Sequence, residues 1–180
     1  MKQKPTIIDF VEHYTSVFPE HVFMREKVDG VWTTTTYKQT REQAFAIGAG
    51  LKCLGMQKGD KVALLSQGRN LWITSELGIL YAGGVNVPLS IKLGESSDLL
   101  FRIKHPEAKY AIVSEQQLPK IRSIISECTN VEQIIVLDPL EQYQEKEISI
   151  EDVIQQGTEY LKDHSDEWRA LYQSIQPDDY

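Results

Sequence analysis

Lys61-Val62-Ala63-Leu64-Leu65-Ser66 is the stretch on which the fold turns. Its apolar residues run without polar alternation, so a strand made from them needs cover on both faces, as in a parallel sheet. Gly59-Asp60 ahead of it reads as a turn, with the Asp60 carboxylate bonding local amides. After it, Asn70 is placed to cap a helix carrying Ile73, Leu77 and Leu80 as far as Gly83-Gly84. Val85-Asn86-Val87-Pro88-Leu89 then reads as a second strand, ending in proline. Strand, helix and strand within about thirty residues make a βαβ unit.

The same alternation continues downstream. A helix is expected from Glu95 to about Lys104, stopped before Pro106, then a strand at Tyr110-Ala111-Ile112-Val113. Ser114 to Gln117 has the spacing of a capping box, opening a helix through Ile121, Ile124 and Ile125 with Pro119 in its first turn. Ile134-Ile135-Val136-Leu137-Asp138 is the next strand, and Ser149 to Asp152 a further box before Ile150, Val153, Ile154 and Leu161. The expected fold is α/β: a largely parallel sheet with helices on both faces and buried strands near 61–66, 85–88, 110–114 and 133–137. Gly83 and Gly84, at a helix-to-strand junction, should include a positive φ or a crowded neighbour.

Upstream, Ile7, Ile8, Phe10, Val11, Tyr14, Val17 and Phe18 give a broad helical stripe closed by Pro19. Val22 to Arg25 and Val31 to Thr36 are strand-like runs around Asp29-Gly30, a hairpin signal. Thr36 to Gln39 fits a capping box, and the helix after it has Ala44, Ile47, Gly48, Leu51 and Leu54 on one face with Gly55 as its left-handed end. Gly48 and Gly50 fall inside that helix, where they permit close packing; neither they nor Gly55 stand between a strand and a helix start, as a phosphate loop requires.

Composition bounds the function. The chain has 180 residues and a net charge of −7, against the basic excess that a nucleic-acid surface needs. Residues 1–137 hold 16 Lys/Arg and 14 Asp/Glu, whereas 138–180 hold 3 and 12. This acidic segment, 138–180, is read as part of the same domain, either solubilising or a partner surface. Cys53 and Cys128 form no disulfide framework or C-x-x-C motif. Met1-Lys2-Gln3-Lys4-Pro5 leads into no apolar h-region, and the uncharged stretch from Leu77 to Ile91 is short and interrupted for a membrane span. These features predict a soluble, cytoplasmic protein without a transmembrane segment. His13, His21, His105 and His164 are scattered, with no metal-ligand spacing, and no serine sits in a G-x-S-x-G elbow. The residues alone describe an α/β domain without a complete catalytic constellation.

Three ordered blocks add a resemblance. Trp32 and Thr36-Tyr37-Lys38-Gln39 lead into Ala49-Gly50-Leu51-Lys52-Cys53-Leu54-Gly55-Met56-Gln57-Lys58-Gly59-Asp60-Lys61-Val62-Ala63-Leu64. Asn70-Leu71-Trp72 and Glu76 to Leu89 follow, then Phe101-Arg102-Ile103-Lys104-His105-Pro106 through Ser114. Together they resemble the start of the AMP-binding, adenylate-forming superfamily, over about residues 20–140. The Val28-Asp29-Gly30-Val31-Trp32 segment resembles long-chain fatty acyl-CoA synthetases most.

The resemblance implies a reaction in which a carboxylate attacks ATP to give an acyl-adenylate and CoA then displaces AMP, with Mg2+ on the phosphates. Fatty acid, ATP and CoA would be the small-molecule substrates of a full-length parent. The family's phosphate-gripping loop is expected just after a segment like Gln176-Pro177-Asp178-Asp179-Tyr180. Residues 1–180 are therefore expected to be a partial N-terminal AMP-binding domain, without catalytic or metal-binding residues of its own. It is expected to be inactive alone, to bind none of these cofactors tightly, and to self-associate through uncovered apolar surface. Lys120 and Arg122 are the candidates for a CoA phosphate contact, with plain exposed surface charge as the competing reading. Two other classes remain open: a non-catalytic interaction module reusing the half-fold, and an amino-acid or aryl-acid adenylating enzyme. A complete small nucleotide-binding protein is disfavoured by the missing glycine loop.

Overall fold

A computed structural model describes residues 5–179; Met1 to Lys4, on which the leader reading partly rests, and Tyr180 lie outside the described residues. α1 (Ile7–Val17) is followed by an antiparallel hairpin of β1 (Val22–Val28) and β2 (Val31–Thr36). Then come α2 (Tyr37–Cys53), β3 (Lys61–Leu65), α3 (Asn70–Tyr81), β4 (Val85–Pro88), α4 (Ser96–Lys104) and β5 (Tyr110–Val113). α5 (Leu118–Ile124), β6 (Gln133–Val136), β7 (Glu147–Ser149), α6 (Ile150–Asp163) and α7 (Ser165–Gln173) complete the chain.

β4-β3-β5-β6-β7 form one sheet, parallel throughout. The α/β expectation holds, and the four strands anticipated from apolar runs all lie in it, each end within one residue. The runs lack alternation because both faces are buried. Val62, Leu64, Ile112 and Ile135 join a core with α2, α3, α6 and α7. Ala63, Leu65, Ala111, Val113, Ile134 and Val136 join another with α4 and α5. Leu64 and Ile112 are fully buried, so truncating either to alanine should cost about 2–5 kcal/mol.

Local chemistry sets most helix ends. Thr36 and Gln39 make the anticipated reciprocal capping box, and Thr6 with Asp9 makes another that the sequence reading did not name. Gly55 takes φ +97°, while Met56 N–H donates to Leu51 O and Gly55 N–H to Lys52 O, a Schellman close to α2. Gly83 has φ +77°, and a Cβ on Gly84 would meet the Met56 side chain at 2.8 Å, so the junction is constrained as expected.

Three caps differ. Ser114 precedes a 3₁₀ turn, Glu115–Gln117, and its carbonyl rather than its hydroxyl takes the following amides. Asn70 is the first helical residue, not the cap; its side-chain amide donates to Thr35 Oγ1 on the hairpin (3.0 Å). Ser149 Oγ accepts from Asp152 N–H (3.0 Å), but the Asp152 carboxylate takes the Ser149 hydroxyl (2.6 Å) instead of closing a box. Only at Asn70 does a tertiary partner take the side chain; at Ser114 the backbone carbonyl closes the turn, and at Ser149 the cap bond forms without its reciprocal.

α6 and α7 belong to the same core as α2. Trp168, 1% exposed, and Tyr172 close over Phe45 and Tyr81, with the Phe45 and Tyr81 rings edge-on at 4.7 Å. On α1, Ile8 and Val11 are buried, whereas Ile7, Phe10, Tyr14 and Val17 form an exposed apolar stripe.

Candidate functional site

The sheet order contains one reversal. From β3 the chain goes to β4 on one side, and from β4 it returns across to β5 on the other. The loops after β3 and β5 therefore diverge at the carboxyl end of the sheet, the place where open α/β sheets bind ligands. Ser66 and Ser114 continue β3 and β5 into this crevice, and both are buried. Ser114 N–H donates to Leu65 O (3.2 Å), extending the ladder by one bond. Gln67 Nε2 donates to Gln116 Oε1, a bridge between the two loops.

Asp138, at the end of β6, ties the loops together. Arg69 Nη1 donates to its Oδ1 (2.7 Å) and Arg69 Nη2 to Leu137 O (3.0 Å). The Glu115 backbone N–H donates to Asp138 Oδ2 (2.8 Å). The Arg69 and Asp138 charges thus cancel within the crevice. Ser114 Oγ and Gln117 Oε1 are buried there and lack a partner among the described residues. The site can position hydrogen-bonding groups. Among the described residues it contains no nucleophile–base pair: Ser66 Oγ donates to Gln67 O and Ser114 Oγ has no partner.

The sequence candidates are held elsewhere. Lys120 Nζ donates to Ile91 O (2.7 Å) and Leu93 O (2.9 Å), pinning the loop between β4 and α4. Arg122 forks onto Glu147 of β7 through Nε and Nη2, each at 2.8 Å, and the Glu147 side chain is 1% exposed. That hydrogen bond holds the Glu147 carboxyl below the usual carboxylate range and raises the Arg122 guanidinium. Both cations are engaged inside the chain, which neither reading of them anticipated. Arg69, Gln67, Gln116 and Asp138 were missed, although their places just after strand ends in a βαβ pattern were a usable signal.

The remaining readings fall into place. Asp60 accepts from Gln57 N–H (2.9 Å), as a turn carboxylate should, and also pairs with Lys109 (3.0 Å), whose ammonium this bond raises. All four histidines are exposed. The described residues do not fit a magnesium–triphosphate cradle. Among the described residues no group of three His, Cys, Asp or Glu could hold a metal, and Gly68 stands alone in the β3–α3 loop. No chemical step is therefore assigned to them. No helix among the described residues is long and apolar enough to cross a membrane.

A parallel sheet with one reversal defines the fold class: an open α/β domain, the kind whose ligands bind outside the carboxyl ends of the strands at that reversal. The AMP-binding enzyme family matches residues 11–179, and the chain belongs to that family. A long-chain-fatty-acid–CoA ligase of Mycobacterium bovis is 38% identical over 71 residues, covering 39% of this chain and 12% of that protein. A mitochondrial acyl-coenzyme A synthetase of Rattus norvegicus is 32% identical over 88 residues, covering 49% of this chain and 15% of its own length.

Among solved structures, an anthranilate CoA ligase in complex with anthranoyl-AMP superposes with TM-score 0.76 at 26% identity, over 86% of this chain and 29% of that one. The A-PCP didomain of a carboxylic acid reductase from Segniliparus rugosus, in complex with AMP, shares the fold at TM-score 0.76 and 13% identity, over 87% of this chain and 27% of its own. The matches thus cover 12–29% of the length of these four relatives.

Proposed function

We propose that these 180 residues are the opening α/β part of an ATP-dependent acid–CoA ligase that acts on long-chain fatty acids. The observation that carries this reading is the family match over residues 11–179, with the substrate class supported by the 38% identity to the mycobacterial fatty-acid ligase. In such an enzyme the acid's carboxylate attacks ATP, pyrophosphate leaves, and the CoA thiol then displaces AMP. This part contributes a rigid sheet and its carboxyl-end loops. Lys120 and Arg122 are not assigned to CoA, because Lys120 is turned onto the Ile91 and Leu93 carbonyls and the Arg122 charge is paired with Glu147.

The 180 residues alone should not form acyl-adenylate. Adenylation draws much of its rate from donors aimed at the phosphates, and positioning of this kind is worth roughly 7–11 kcal/mol in favourable cases. ATP–pyrophosphate exchange with fatty acids of several lengths, on this chain and on the reading frame containing it, tests both statements. Exchange by the 180 residues alone overturns the second. Exchange by the longer protein with aryl acids only would replace the fatty-acid reading with the aryl one that the anthranilate ligase likeness favours.

Self-association is part of the same proposal. Ile7, Phe10, Tyr14 and Val17 are 42–60% exposed on one helix face, a setting that favours contact with a second copy. Sedimentation at high concentration should show dimers or larger species, and Phe10→Ser should reduce them. A strictly monomeric profile would refute it.

A further inference from the structure

We propose that the β1–β2 hairpin docks the protein onto an anionic lipid bilayer, with Val28, Val31 and Trp32 entering the interface and Arg25 and Lys27 meeting the lipid phosphates. Three observations carry the assignment, and none depends on which acid the parent enzyme activates.

The first is the division of the ribbon into two faces. Side chains alternate along a strand, and directly paired residues share a face. Met24–Thr35 and Glu26–Thr33 therefore lie on one face, and Arg25–Thr34 and Lys27–Trp32 on the other. The first face is tied to α3: Asn70 donates its backbone N–H to the Glu26 carboxylate (3.2 Å) and its side-chain amide to Thr35 Oγ1 (3.0 Å). All four residues of the second face are exposed. The hairpin is thus fastened from behind, and a surface meeting its outer face does not have to order it first, which lowers the cost of binding.

The second is the apolar tip. Val28 pairs with Val31 beside the Asp29-Gly30 turn, and Trp32 follows. Val28, Val31 and Trp32 are 48%, 66% and 67% exposed. The two valines stand on one face of the ribbon and the indole on the other. A flat protein partner would cover one face, whereas a fluid bilayer surrounds a tip from both sides. An indole suits the membrane–water interface, because its ring is apolar and its N–H stays wet.

The third is the charge. Arg25 and Lys27 have no ion-pair partner among the described residues. They are the two charged residues of the outer face, whose other members are Trp32 and Thr34. The Glu26 carboxylate lies on the opposite face, and Asp29 in the turn is the one acidic group at the tip. Long stems let the Arg25 and Lys27 heads reach phosphates while Trp32 sits deeper. A single apolar anchor holds a bilayer weakly, and a basic pair beside it supplies the second signal. The contact is peripheral, since no helix among the described residues is long and apolar enough to cross a membrane.

Flotation of the 180-residue chain with phosphatidylcholine vesicles, with and without phosphatidylserine, tests the proposal. The chain should float with the anionic vesicles and hardly at all with the neutral ones, and added salt should release it. Trp32→Ala should weaken binding roughly tenfold or more, and Lys27→Gln about fivefold. Asp29→Asn removes the acidic group and tolerates the positive φ of this position (+49°); it should tighten binding, which loss of a structural contact would not do. Trp32→Phe should keep most of the binding but lose the blue shift of tryptophan emission that vesicles produce. Soluble glycerophosphoserine should not compete. The substituted side chains are exposed, so melting temperatures should hardly move and weaker binding cannot be laid to unfolding. Equal binding to neutral and anionic vesicles, unchanged affinity in Trp32→Ala, competition by the soluble headgroup, or no flotation at any lipid concentration would overturn the proposal. Loss of self-association in Trp32→Ala without vesicle binding by the natural chain would overturn it too, and assign this face to a second copy.

Discussion

Gly157 of α6 lies against Gly50 of α2 so closely that a Cβ on Gly157 would come 2.5 Å from the Gly50 nitrogen. A Cβ on Gly50 would in turn meet the Val153 Cγ1 at 2.6 Å and the Val153 carbonyl carbon at 2.8 Å. Two backbones touch here, and neither can move aside as a side-chain tip can. Gly157→Ala and Gly50→Ala should each destabilise the chain by about 3 kcal/mol or prevent folding. Gly94→Ala, whose nearest neighbour would be at 4.0 Å, should stay within about 0.5 kcal/mol. Thermal melts of the three variants check the contrast.

Glu12 joins four elements. Its carboxylate accepts from Arg41 Nε (2.6 Å) and Nη2 (2.9 Å), Tyr81 OH (2.8 Å) and, more distantly, Tyr172 OH (3.5 Å). Burial and this carboxylate push the Tyr81 phenol well above its usual range. Removing the acceptor strands a half-buried guanidinium and a buried hydroxyl. Glu12→Ala should lower stability by about 2 kcal/mol, and Tyr81→Phe, which loses one bond, by about 1 kcal/mol. Urea unfolding measures both; an unchanged midpoint for Glu12→Ala would remove the network from the account.

Acid should loosen the β7 edge. Hydrogen bonding from Arg122 lowers the Glu147 carboxyl from its ordinary value of 4.5. A depressed carboxylate makes its full contribution above the unfolded value, and that contribution is lost as pH falls through the folded one. Between neutrality and strong acid, melting temperature should therefore drop more for the natural chain than for Glu147→Gln. The variant should start lower at pH 7. Parallel curves would contradict this assignment.

The two thiols should react at different times. Cys53 is exposed and Cys128 fully buried, and burial pushes both thiols up. At neutral pH a thiol reagent should titrate one cysteine slowly in the folded chain and both after denaturation. Rapid modification of two thiols in the native state would show that the packing around Cys128 opens readily.

Some of this molecule is local and therefore legible in the residues. Val62 to Leu65 and Ile134 to Val136 announce buried strands because both of their faces are apolar, and Gly55 and Gly83 mark ends that need a left-handed turn. The ordered blocks from Trp32 to Ser114 announce the family. β7 is not legible, because Glu147-Ile148-Ser149 is short and polar and becomes a strand only by pairing with β6. The partners of Lys120 and Arg122 lie 25 to 29 residues away in the chain, and Glu12 meets Tyr172 across 160. A cation in a sequence carries no sign of whether water, a carbonyl or a carboxylate will take its protons. The sheet order, by reversing between β3 and β5, decides that, and with it the crevice held by Asp138.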